Sequence, residues 1–119
     1  MSSTQERFRR ATLILARSGS IKNRLQQAYA TQLEDLEPDE VPSVIREDLE
    51  ALHRDLRRAR PLPGEDAVRA TIRKLSESEA DELAATVVGM YGRVSEIQAV
   101  LRFDNQLPRA HVQLVAAEA

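Results

Sequence analysis

A chain of 119 residues, 42% of them hydrophobic and 30% charged, has the make-up of one globular domain, which argues against a disordered or membrane-spanning chain. The formal charge of −2 creates no overall field toward nucleic acid. The absence of cysteine excludes disulfides, thiol catalysis and thiolate-bound zinc. Aromatic residues make up only 3%, so the core is expected from Leu, Ile, Val and Ala, a set suited to helix-on-helix packing.

The longest apolar run, 11–16, is interrupted by Thr12 and is far too short to cross a bilayer. The N-terminal stretch lacks the apolar run and cleavage site of a secretory leader, and Ser2 stands where myristoylation needs Gly. The expected compartment is therefore the cytoplasm. Arg outnumbers Lys 15 to 2 and Ala is abundant, a codon-usage signature of a GC-rich bacterial genome.

The spacing of Phe8, Ala11, Ile14 and Leu15 predicts an amphipathic helix over 4–18, ended by Gly19, which tolerates the left-handed conformation of a helix C-cap. Ser20 is placed to cap a second helix running to about residue 36, with Ile21, Leu25, Ala28, Tyr29, Leu33 and Leu36 at helical spacing. That helix ends in Glu34, Asp35 and Glu37, the wrong sign for the negative pole of its dipole, so compensating cations are expected from elsewhere.

Pro42 suits the first turn of a third helix. Ile45, Leu49, Leu52 and Leu56 form its apolar stripe, with acids early (Glu47, Asp48, Glu50) and arginines late (Arg54, Arg57, Arg58, Arg60). Residues 61–64, Pro-Leu-Pro-Gly, force a turn. Glu65 and Asp66 then open a short fourth helix carrying Val68, Ile72 and Leu75. Ser76 and Glu79 have the spacing of a capping box for a fifth helix reaching about residue 103.

Leu83, Val87, Met90, Val94, Ile97 and Leu101 alternate by four and three along this last helix, and Ala80, Ala84, Val88 and Tyr91 widen the stripe. Gly89 and Gly92 interrupt it, marking a kink, a break or a close approach. The fold expected is an all-α bundle of four to five helices with a long C-terminal helix: one helical domain over 1–103 and a tail over 104–119, coil or short helix.

An unbroken helix of about 27 residues spans roughly 40 Å, whereas a compact chain of this length has a radius of gyration of about 13–14 Å. Such a helix overhangs its own domain. Burial of the overhang against a second copy predicts a homodimer, with Leu83, Val87, Met90, Val94, Ile97 and Leu101 as the candidate association stripe.

Charge alternates in blocks: six bases and one acid over 1–30, two and nine over 31–56, six and two over 57–75, three and seven over 76–119. Oppositely charged helices packed side by side account for this pattern without any external partner. Arg7, Arg9, Arg10, Arg17, Lys22 and Arg24 nevertheless make a candidate basic patch for phosphate. The first helix also has the residues to lie on a membrane surface, although a core-packed helix with solvated arginines accounts for the same residues.

Catalytic signals are lacking. Neither a nucleophile elbow nor a phosphate-binding glycine loop occurs, and the chain has four glycines in all. No cofactor is implied. Glu50 and His53 form one Glu-x-x-His pair of the kind di-iron bundles use, but such a site needs a second pair, and Pro108 stands three residues before His111. His53 reads instead as a boundary or surface residue. Residues 82–102 can be aligned to a helix-turn-helix through Ala85 and Gly89. The alignment fails at Ser95 and Gln98, and the recognition segment holds only Arg93 and Arg102. The sequence therefore points to a non-catalytic helical interaction or regulatory module, self-associating and with possible protein partners. The alternatives are a nucleic-acid-binding regulator using the basic N-terminal helices and a metal-binding protein around Glu50 and His53.

Overall fold

A computed structural model describes residues 3–106, with no strand among them. Five α-helices follow in order: α1 (Thr4–Leu15), α2 (Ile21–Ala28), α3 (Ser43–Leu56), α4 (Ala67–Lys74) and α5 (Glu77–Gln106). A π-helical turn, Tyr29–Leu33, extends α2, and a 3-10 turn, Pro38–Glu40, precedes α3. The all-α bundle with a long last helix is thus the observed architecture.

Side-chain oxygens set most helix starts. The Ser3 hydroxyl accepts from the Glu6 amide at 3.1 Å and Ser20 from the Asn23 amide at 3.1 Å. The Asp66 carboxylate accepts from the Arg69 amide at 2.7 Å. At α5 the capping box is closed in both directions: the Glu79 amide donates to Ser76 Oγ at 3.0 Å and the Ser76 amide to the Glu79 carboxylate at 2.9 Å.

The C-terminal ends of the first two helices differ from expectation. α1 stops at Leu15 rather than Ser18, and its terminal carbonyl is served from outside: Arg24 of α2 donates to Leu15 O at 2.5 Å and to Gly19 O at 3.0 Å. Gly19, at φ 108°, turns the chain between the helices instead of capping the first. α2 does not run on as α-helix to residue 36. After Ala28 it widens, and the Glu34 amide donates to Tyr29 O at 2.8 Å, a five-residue spacing.

The acidic end of this second segment has the expected cations. Arg7 of α1 donates to Gln32 O at 3.4 Å and pairs with Asp35 at 2.5 Å, and Arg57, which follows α3, donates to Glu34 O at 2.5 Å. Arg93 of α5 pairs with Asp48 of α3. The charge blocks of the sequence are therefore joined to one another within the chain.

α5 spans 30 residues, about 45 Å, and continues unbroken through Gly89 and Gly92. A Cβ at either glycine would meet nothing within 4 Å, so neither marks a close approach of helices within the chain. The helix passes residue 103 and ends at Gln106; the remainder of the expected tail, with His111, lies outside the described residues.

α1, α2 and α3 pack along α5, and α4 packs against α2 and α3. The core they enclose holds Phe8, Ala11, Leu25, Ala28, Tyr29, Leu33, Ile45, Leu49, Leu56, Val87, Met90 and Val94, all at 0% exposure. Among the described residues of α5, the last that is buried in the core is Val94. The long dimension is 60 Å against 28 and 27 Å across, and the radius of gyration, 17.0 Å, exceeds the roughly 13–14 Å of a compact chain of this length.

Candidate functional site

The bundle divides the expected association stripe. Val87, Met90 and Val94 are fully buried in the chain's own core, because α1, α2 and α3 cover that face, and Leu83 is half-buried against the same cluster. They are not a free surface for a second copy, which corrects the sequence-based assignment. Ile97 is half-buried and Leu101 is exposed.

Beyond Val94 apolar side chains continue along the helix, but none over 95–103 is buried. Val100 is 58% exposed, Leu101 50% and Phe103 48%. Glu96, Ile97, Val100 and Leu101 line a groove that is almost wholly apolar. At 100° per residue, Ile97, Val100, Leu101 and Phe103 spread over about 160° of the helix circumference. A helix that is apolar well beyond a narrow stripe is ordinarily covered on that surface. Val100 and Phe103 lie outside the four-three alternation, which is why the stripe did not include them; the signal was apolar residues appearing off the stripe.

The candidate basic patch is largely committed within the chain. Arg7 pairs with Asp35, Arg9 and Arg10 with Glu6, and Arg24 caps α1. The Lys22 ammonium donates to Arg73 O at 2.9 Å. Arg17 is exposed, beside Arg10, Leu13 and Ile14. Cations spread over caps and ion pairs do not form the continuous track that a phosphate backbone follows.

A cavity of about 440 Å³ lies between the start of α2 and the turn at 62–65, lined by Lys22, Asn23, Gln26, Glu65, Arg69 and Arg73 among others. Its charges are partly internalised: Arg73 grips Glu65 through two bonds, 2.9 and 3.2 Å, which hold the Glu65 carboxyl below the usual range. No nucleophile–base pair converges there.

His53 is not a surface residue. It is 7% exposed, and both ring nitrogens are engaged: Nδ1 stands 2.5 Å from Tyr29 Oη and Nε2 2.7 Å from Leu36 O. Glu50, one turn earlier, is exposed. Among the described residues no three His, Cys, Asp or Glu side chains are gathered as a metal would require. A ligand needs a free lone pair, and that of His53 is turned to Tyr29. Burial pushes the Tyr29 phenol up to about 12, against the pull of the nearby Arg57 guanidinium. Tyr29 was legible only as a core residue; the pairing came from two buried polar groups each needing a partner.

Comparison with known proteins finds no match: no family model, no curated protein and no solved structure corresponds to this chain.

Proposed function

We propose that this chain is a non-catalytic helical interaction module that self-associates through the distal part of α5. One observation carries the reading: Val100, Leu101 and Phe103 stand about half exposed on a helix that leaves its own bundle after Val94. Covering such side chains gains about 25 cal/mol per Å² of apolar surface removed from water, and a second copy presents the same surface in a two-fold arrangement. Several charged and polar side chains, Arg7, Arg24 and Glu79 among them, serve caps and ion pairs inside the chain, which supports an interaction role over a catalytic one.

The test is size-exclusion chromatography with light scattering, recorded at 260 and 280 nm. With two Tyr and no Trp, the chain absorbs little at 280 nm, so bound nucleic acid stands out. The reading expects a dimer or larger assembly without excess 260 nm absorbance. A strong, salt-sensitive 260 nm signal would replace it with the nucleic-acid reading.

A further inference from the structure

Tyr29, His53 and Leu36 form a closed polar chain inside the bundle, and its proton count follows from the atoms. The Leu36 carbonyl can only accept, so His53 Nε2 carries a hydrogen. With His53 neutral, Nδ1 is a bare acceptor and the Tyr29 hydroxyl donates to it at 2.5 Å. Each of the three groups is then bonded.

A second ring proton, on Nδ1, places N–H against O–H. The hydroxyl can turn to accept, but its own hydrogen then needs another acceptor, and Tyr29 is 0% exposed. The Arg57 guanidinium, 6.0 Å from the ring centroid, offers donors only, and the Glu34 carboxylate acts on the phenol through its charge rather than a hydrogen bond.

The charged groups facing His53 come from each element around it. Arg57, at the C-cap of α3, opposes protonation, while Glu34 after the π turn and Glu37 in the following loop favour it. Burial outweighs these and holds the imidazole below its usual range.

We propose that this Tyr29–His53–Leu36 chain of hydrogen bonds is a proton-sensitive latch: uptake of one proton by His53 releases the 29–37 segment, with its π turn, from α3. The same segment carries Asp35, which Arg7 of α1 grips, so its release also loosens α1. The π turn is the place where such a change is absorbed, since its wider hydrogen bonding is tied to the register that sets Tyr29 on His53.

The chain has two histidines, His53 and His111, so its imidazole spectrum is simple to assign. The experiment is long-range ¹H–¹⁵N NMR of the full chain from pH 8 to pH 5, with backbone amide exchange followed in parallel. The latch predicts the Nε2–H tautomer at pH 8 and a His53 midpoint below the ordinary 6.5. It predicts amides of 29–37 that lose protection at that same midpoint while those of α4 do not. In Tyr29→Phe the midpoint moves up toward 6.5. An Nδ1–H tautomer at pH 8, a midpoint at or above 6.5, or amides of 29–37 protected through the midpoint would overturn the proposal. The wild-type titration decides alone if Tyr29→Phe does not fold.

Discussion

Arg24 belongs to α2 yet closes α1: its guanidinium donates to Leu15 O at 2.5 Å and to Gly19 O at 3.0 Å. One side chain thus satisfies the carbonyl at the end of α1 and fixes the turn that sends the chain back along α5. Charge-assisted bonds of this kind are worth about 1.5–3 kcal/mol each where partly buried, and less where solvent competes. Arg24→Met, which keeps the aliphatic stem, is expected to lower unfolding free energy by about 1–2 kcal/mol in urea titration. No change would mean that water serves these carbonyls equally well.

Gly89 and Gly92 sit exposed in the interior of α5 with open space around them. Replacing each by Ala is expected to stabilise the chain by about 0.8–1 kcal/mol, the difference in helix propensity. Thermal unfolding of the double variant reads the combined gain. Destabilisation instead would show that a second copy approaches closely over these glycines.

Phe8 is fully enclosed between α1 and the rest of the core. Phe8→Ala is expected to cost about 3–5 kcal/mol, the transfer term plus the cavity left behind. A loss below about 1 kcal/mol in urea titration would contradict the placement of α1 against α5.

His53 also predicts a pH dependence whose sign follows from its lowered affinity for protons. The unfolded chain binds the proton more tightly, so the stability contributed by neutral His53 is present above about pH 6.5 and is lost as pH falls toward the folded midpoint. His53→Gln keeps one donor and one acceptor without titrating. It is expected to flatten this part of the profile in unfolding titrations between about pH 7.5 and 5.5. An unchanged slope would assign the dependence to other groups.

Much of this architecture could be read from local chemistry. Ser76 and Glu79 start α5 as their spacing implies, and the Ile45, Leu49, Leu52 and Leu56 stripe is buried as expected. The capping of α1 was hidden because Arg24, which serves its Leu15 carbonyl, comes nine residues after Leu15. The π turn was hidden too, since Tyr29 and Leu33 have ordinary helical spacing and only the His53 contact distinguishes Tyr29. The association stripe was half misread for a related reason. Periodicity identifies an apolar face but cannot say whether the chain itself covers it, and α1, α2 and α3 cover Val87, Met90 and Val94.

Sedimentation equilibrium over a concentration series, comparing the wild-type chain with a Val100→Asp, Leu101→Asp variant, tests self-association through α5 most directly. Both side chains stand outside the core, so the variant retains its helical content. The account predicts a wild-type chain that reaches at least twice the monomer mass and a folded variant that remains monomeric. A wild-type monomer at every concentration, or a variant that assembles equally well, would contradict it.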